Sequence, residues 1–422
     1  MAKRIVLATW GSLGDLHPYL AVALRLAARG HEPVVATSRI HRAKVEREGI
    51  RFAPLGPHLE PTETELLRRA MDPHRGSQFL IRDLLYPYTK SAVREAMQAI
   101  EGADLVLTHT VAFGAQLAAE KTGIPWLSGN LAPAGFFSAY DPPVLPPFPW
   151  MGRLYALGPF VGRAMRALGR SVTRRWLAPI RAARAELGLP PDRDPLFDSQ
   201  FSPRGTLALF SPLLGRPQPD WPPKVTVTGF AFYDRQQPEI PPPAGLEQFL
   251  DSGDPPIVFA LGSAAVFVAG DFYRESIEAA RLLGRRALLL VGDERVNPIP
   301  RPLPPGVGAF AYAPYSQVFP RAAANVHQGG IGTTAVAMSA GRPMLVVPFS
   351  HDQPDNAQRV AGLGMAQVIP RNAYRARRAA AALEFLLSDS ACLAKAREVG
   401  QTVRKEEGAE AAARVIDAEL TA

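Results

Sequence analysis

The sequence predicts an α/β protein of two doubly wound domains that face each other across a cleft. Short apolar runs alternate with segments carrying apolar residues at helical spacing, the pattern of parallel strands joined by helices. A proline-rich stretch interrupts that alternation near the middle of the chain, after which it resumes. The length of 422 residues accommodates two such domains.

In the first half, Arg4–Thr9 reads as a strand, Gly11-Ser12-Leu13-Gly14-Asp15 as a turn and Pro18–Arg29 as a helix. Gly30 suits a helix C-cap, and Pro33–Thr37 is the next strand. Leu105–Thr108, Trp126–Ser128 and Leu207–Phe210 are further strands, with a helix over Ala112–Lys121. Prolines cluster at Pro142–Pro149, Pro190–Pro195, Pro217–Pro223, Pro238–Pro243 and Pro298–Pro305, where neither helix nor central strand continues. The second half offers strands at Ile257–Leu261, Ala287–Val291, Val307–Phe310, Ala324–His327 and Met344–Pro348, with helices over Phe272–Leu283 and Thr333–Ala340. Expected boundaries are a first domain at residues 1–212, a linker at 213–245, a second domain at 246–402 and a helix at 403–422 that packs back on the first domain. Ligands in this architecture bind between the carboxyl ends of the sheets.

Composition narrows the function. The apolar fraction of 47% with 20% charged residues is that of a globular chain, and the apolar runs fall far short of a membrane span. The start, MAKRIVLATWG, carries no cleavable signal pattern, and the lone Cys392 excludes a disulfide framework. The expectation is a cytoplasmic protein. The net charge of +8 is scattered without aromatic-interleaved basic motifs, so nucleic acid is not an expected partner.

Two stretches carry chemistry. His327-Gln328-Gly329-Gly330-Ile331-Gly332-Thr333-Thr334 follows a strand and opens a helix, where backbone N–H groups and the helix dipole make an anion site. It matches neither the Walker nor the dinucleotide fingerprint, and its glycines are also compatible with a tight turn that only solves packing. Pro348-Phe349-Ser350-His351-Asp352-Gln353-Pro354-Asp355-Asn356-Ala357 follows another strand, and its adjacent carboxylate and amide suit a polyhydroxylated ligand or a helix-capping loop.

Together with Tyr312-Ala313-Pro314, these stretches resemble the donor-binding signature of the inverting, metal-independent nucleotide-sugar glycosyltransferases with two Rossmann-like domains, the GT-B fold of the UDP-glycosyltransferase-like family. Within that family, Gly270-Asp271-Phe272-Tyr273, Thr228-Gly229-Phe230 and the run His351–Asn356 resemble the rhamnosyltransferases of rhamnolipid synthesis. The resemblance implies roles residue by residue. Tyr312 stacks on the base and Ala313 reads its edge. Gly262 and Ser263 close over the phosphates, which His327 and the amides of Gly329, Gly330, Ile331, Gly332 and Thr333 bind. Asp352 and Gln353 hold the sugar hydroxyls. Plant members carry a glutamate eight residues after the histidine for the ribose, whereas Ala335 stands here, compatible with a dTDP- as well as a UDP-sugar.

At the N-terminus, Gly11–Pro18 resembles the bacterial catalytic loop, with Ser12 and Gly14 beside the donor. Asp15 is the expected base and His17 the other candidate, since attack on the anomeric carbon requires removal of the acceptor proton. Asp15 is equally placed to cap the following helix. No aspartate follows Thr108-His109, so the plant-type histidine–aspartate dyad is not expected.

The implied activity moves rhamnose or glucose from a dTDP- or UDP-sugar to a hydroxyl of a hydrophobic acceptor, such as a hydroxyacyl lipid or an aromatic compound, with no metal and no cofactor. Rival readings are a sugar-nucleotide epimerase on the same fold and a non-catalytic sugar-nucleotide-binding subunit. Asp192-Arg193-Asp194 spells a metal-binding triplet of other transferases but sits in a proline-rich loop and reads as a solvated turn. The segment Phe136–Leu189, with Phe136, Phe137, Phe148, Trp150, Tyr155, Phe160, Trp176 and many arginines, admits three readings: acceptor pocket, peripheral membrane contact or core of the first domain.

Overall fold

The computed structural model describes residues 1–59, 63–146, 151–155, 157–191, 194–233 and 243–421. Phe148, Trp150, Asp192 and Arg193 lie outside the described residues.

Two all-parallel sheets form the frame. The first contains β1 (Arg4–Ala8), β2 (Glu32–Thr37), β3 (Arg51–Pro54), β4 (Leu105–His109), β5 (Trp126–Asn130), β6 (Thr206–Ala208) and β7 (Val225–Val227) in the order β3-β2-β1-β4-β5-β6-β7. The second contains β8 (Ile257–Ala260), β9 (Ala287–Leu290), β10 (Val307–Phe310), β11 (Ala324–His327), β12 (Met344–Val346) and β13 (Ala366–Val368) in the order β10-β9-β8-β11-β12-β13. Each sheet reverses its winding direction once, between β1 and β4 and between β8 and β11. Crevices outside such reversal points are where this architecture binds ligands. The central strands are buried along their length except at Arg4, which is why they read as continuous apolar runs.

Three expectations need correction. The first helix runs over Leu13–Ala28 rather than from Pro18, because Ser12 caps it and Asp15 completes a capping box. The stretch 213–245 contains β7, which pairs with β6 as the edge of the first sheet. The final helix starts at Gly408 rather than at 403 and runs to Thr421, after the separate helix Ser390–Val403. The chain crosses back between them, where Glu406 accepts from Ser211 Oγ at 2.5 Å and from the Phe230 N–H at 2.9 Å. Ala409, Ala412, Ala413 and Ile416 then bury against Leu16, Leu20 and Leu26 of the first domain.

Gly270–Tyr273 and Thr228–Phe230 serve this frame. Phe272 and Tyr273 are core residues that open the helix Phe272–Leu282, and Gly229-Phe230 receives the crossing segment. The aromatics of the 136–189 segment divide. Phe136 is buried, stacked on Trp221 with ring centroids 3.9 Å apart, whereas Phe160 is exposed.

Candidate active site

The site residues gather at the two reversal points. After β1, the loop Thr9–Ser12 leads into the Leu13–Ala28 helix. After β11, Gln328–Gly330 leads into the helix Ile331–Ala340. The two helix starts nearly touch: a Cβ built on Gly332 would stand 3.6 Å from Gly14 Cα. Further bridges fasten the domains together. His351 Nδ1 lies 3.0 Å from Ser77 Oγ, the Val144 N–H donates to Asp355 Oδ1 at 3.0 Å, and Arg359 holds both Asp355 and Asp141.

Asp15 lies on the first-domain side. Its Oδ2 accepts from the Ser12 N–H at 2.7 Å and from Ser12 Oγ at 3.1 Å, while Ser12 Oγ accepts from the Gly14 N–H. The capping role and a position at the cleft therefore coexist. Gly11 has φ +137°, and a Cβ there would fall 2.2 Å from Asp15 Oδ2, so glycine is required for this loop to seat the carboxylate. The other carboxylate oxygen, Oδ1, lies 3.9 Å from Nε2 of the buried His109 at the end of β4. Burial lowers the His109 pKa, so the ring is neutral at physiological pH. A histidine and an aspartate thus meet here after all, with the two residue types exchanged relative to the plant-type dyad. His17 is half-buried against Tyr233, and burial together with Lys44 pushes its pKa down to about 3. An imidazole so perturbed is a weak base. Asp15 is the better placed of the two expected bases.

On the second-domain side, the Ile331–Ala340 helix begins at Gly330 with no side chain capping it, which leaves its first N–H groups for a ligand. Gly262 is buried, and a Cβ on it would meet Gln328 Nε2 at 2.2 Å; Gln328 Nε2 in turn donates to Thr333 Oγ1. Ser263 is exposed beside it. Tyr312 is 58% exposed, whereas Ala313 is fully buried.

His327 requires a correction. The resemblance puts the His327 ring on the diphosphate, but the ring is fully buried and burial lowers its pKa to about 3. Nδ1 accepts from the Gly329 N–H at 3.0 Å, so Nε2 carries the proton, 3.4 Å from Met344 Sδ. The histidine therefore shapes the turn that presents the helix start. His327→Ala is expected to lower stability by about 1–3 kcal/mol, the cost of leaving a buried N–H without its acceptor. Denaturant midpoints check this; an unchanged midpoint with lost nucleotide affinity would restore a direct contact.

The loop after β12 completes the site. Asp352 accepts from Asn356 Nδ2 at 2.7 Å, and Asn356 Nδ2 also donates to the Gly329 carbonyl, tying this loop to the glycine turn. Burial raises the Asp352 pKa to about 7, and the Asp15 charge across the cleft contributes to the rise. Gln353 uses its side-chain carbonyl to accept from the Phe349 and Ser350 N–H groups, so that oxygen fixes the loop and is not free for a ligand. His351, at φ +57°, is a non-glycine residue in the left-handed region, held against Ser77 and within reach of the Asp15 charge. The sequence motifs include His109, His351 and Asn356 but give none of them a role at the site; the fold supplies it by placing His109 beside Asp15, His351 against Ser77 and Asn356 on Asp352.

Elsewhere, Asp194 caps the Leu196 and Phe197 N–H groups, the turn role expected of it. Among the described residues no three His, Cys, Asp or Glu side chains gather as a metal-binding group, and no helix is long and apolar enough to cross a membrane.

Comparison with known proteins agrees with this architecture. Residues 5–134 match the family described as "Glycosyltransferase family 28 N-terminal domain", and residues 286–420 match "Erythromycin biosynthesis protein CIII-like, C-terminal domain". The chain is 33% identical to the O-mycaminosyltylonolide 6-deoxyallosyltransferase of Streptomyces fradiae over 435 aligned positions, covering 98% of this chain and 97% of the relative. Among solved structures, the kitacinnamycin glycosyltransferase superposes with a TM-score of 0.73 at 24% identity over the full length of both chains. The spinosyn rhamnosyltransferase SpnG, solved with thymidine diphosphate, superposes with a TM-score of 0.68 at 17% identity over 98% of this chain and 100% of that one. The protein is a glycosyltransferase of the GT-B fold and belongs to the family that joins a family 28 N-terminal domain to an erythromycin CIII-like C-terminal domain.

Proposed function

We propose that the protein is an inverting, metal-independent transferase that moves a hexose or deoxyhexose, rhamnose or glucose among the candidates, from a dTDP- or UDP-sugar to a hydroxyl of a hydrophobic small molecule. The observation that carries this reading is the approach of Asp15 to the uncapped Ile331–Ala340 helix and to Asp352 across one cleft. The diphosphate lies at that helix start, where the N–H groups and the dipole offset the charge that grows on the leaving group. Tyr312 offers an exposed ring to the base. Asp352 takes the sugar hydroxyls, beside Gln353 and Asn356.

In the reaction, Asp15 accepts the acceptor's hydroxyl proton as the oxygen attacks the anomeric carbon. The bond from that carbon to the diphosphate oxygen breaks, and its electron pair leaves with the nucleoside diphosphate. His109 is a positioning residue for Asp15. Because helix N–H groups can stabilise the leaving diphosphate, no metal is required by this route.

A dTDP donor is favoured by the thymidine diphosphate named with the spinosyn enzyme and by Ala335 where a ribose-binding carboxylate is absent. A hydrophobic acceptor is favoured by the apolar cluster of Trp10, Phe113, Phe137, Trp176 and Phe197 that adjoins the Asp15 loop. The named acceptor of the Streptomyces fradiae relative, O-mycaminosyltylonolide, belongs in the test set. Incubation of dTDP-rhamnose, dTDP-glucose and UDP-glucose with aromatic and hydroxyacyl acceptors in EDTA, read by mass, tests the proposal. An acceptor-plus-hexose product in EDTA is expected. Nucleotide release without such a product would favour the epimerase reading, and activity only after adding a divalent cation would overturn the metal-free route.

A further inference from the structure

The helix Pro159–Thr173 is amphipathic in the wrong sense for a helix on a globular surface. Two of its three arginines are paired toward the rest of the domain: Arg166 with Asp220 at 3.3 Å, and Arg170, whose Nη1 bonds Asp198 at 2.9 Å; Arg163 is exposed. It also docks through small residues, with Gly162 against the Ala139 backbone and Gly169 against Phe197. Three of its large apolar residues turn outward. Phe160 is 61% exposed, Leu168 55% and Val172 49%, and Leu157 just before the helix is 63% exposed. Phe160, Ala164, Ala167, Leu168, Ser171 and Val172 fall on one stripe at helical spacing. Solvated helices do not present such a stripe unless something covers it.

The charge around the stripe indicates what covers it. From Met151 to Ala185 the sequence has eight arginines and no aspartate or glutamate. Of these, Arg163, Arg174, Arg175 and Arg181 are exposed. A second copy seated on this face would bring arginine against arginine. An apolar stripe flanked by cations matches instead an interface that is apolar within and negatively charged at its surface. We propose that this face docks the protein onto anionic lipid bilayers, with the apolar stripe at the acyl boundary and the arginines at the head groups. The face lies near the rim of the cleft, since the segment ahead of it packs on the second domain through Val144–Asp355 and Asp141–Arg359. Docking there brings the transferase to the phase in which apolar acceptors dissolve. The proposal does not depend on which donor or acceptor the enzyme uses.

Vesicle flotation tests it, with the purified full chain, phosphatidylglycerol-containing vesicles and pure phosphatidylcholine vesicles at low and high salt. The protein is expected to float with the anionic vesicles at low salt and to be released by salt. The double variant Leu168→Ser/Val172→Ser should weaken that binding by about tenfold or more through lost apolar contact. The variant Arg174→Gln/Arg175→Gln should weaken it by about tenfold and flatten the salt dependence. Both variants should keep the wild-type unfolding midpoint, because all four side chains are exposed. The proposal fails if wild type ignores anionic vesicles at low salt, or if neutral vesicles bind it equally. It also fails if Leu168→Ser/Val172→Ser leaves binding unchanged, or if that variant instead dissolves a dimer seen by sedimentation.

Discussion

Asp15→Asn is expected to lower kcat by at least about 10²-fold while leaving the donor KM within about threefold of wild type. The substitution keeps an acceptor oxygen for the Ser12 N–H and Oγ, so the capping box and the helix start should survive. What it removes is the ability to take a proton. An unfolding midpoint near that of wild type, together with the kinetic loss, would separate the two roles. Activity within about threefold of wild type would assign the proton to solvent, because His17, with its pKa near 3, is a poor substitute. His109→Ala should lower kcat less, and its activity should be partly recovered in His109→Gln.

The second large effect is expected at Asp352. A hydrogen bond to a charged group is worth about 1.5–3 kcal/mol, so Asp352→Asn should lower kcat/KM for the nucleotide sugar by about 10- to 150-fold. Affinity for the free nucleoside diphosphate, which lacks the sugar, should stay within about twofold of wild type. The raised pKa adds a signature in stability. A carboxyl at about 7 in the fold and 3.8 when unfolded binds its proton more tightly in the native state. Its contribution to stability is full below pH 3.8, declines between 3.8 and 7, and is gone above 7. Asp352→Asn should remove that decline from the pH dependence of the unfolding free energy. Equal losses for nucleotide sugar and free nucleotide would place the residue's effect on the turn at Gly329 instead.

The interior of both sheets was legible in the sequence. Ala324–His327 is a strand at the residues expected and Ala287–Leu290 falls within one residue of the expectation, because parallel strands covered on both faces must be apolar throughout. Of the four edge strands, Val307–Phe310 was legible, whereas Arg51–Pro54, Val225–Val227 and Ala366–Val368 were not. Each is only three or four residues long and carries polar or proline positions that an edge tolerates. The break in the tail was hidden for another reason. It is held by Glu406 binding Ser211 and Phe230, partners distant in sequence that leave no local mark at Arg404–Glu407. The site was legible as motifs but not as chemistry. The glycine turn and the Asp352 loop stood out, yet only the fold shows that His327 is buried and neutral and that His109 meets Asp15. Titration state depends on burial, and burial depends on distant segments.

The anomeric configuration of the product tests the central claim most directly. In the proposed reaction the acceptor oxygen, deprotonated by Asp15, displaces the diphosphate in a single step, with no covalent intermediate on the protein. NMR of the glycoside formed in EDTA should show the configuration inverted relative to the donor sugar. A product with the donor's configuration retained would contradict the account, because retention requires two displacements or attack on the same face as departure.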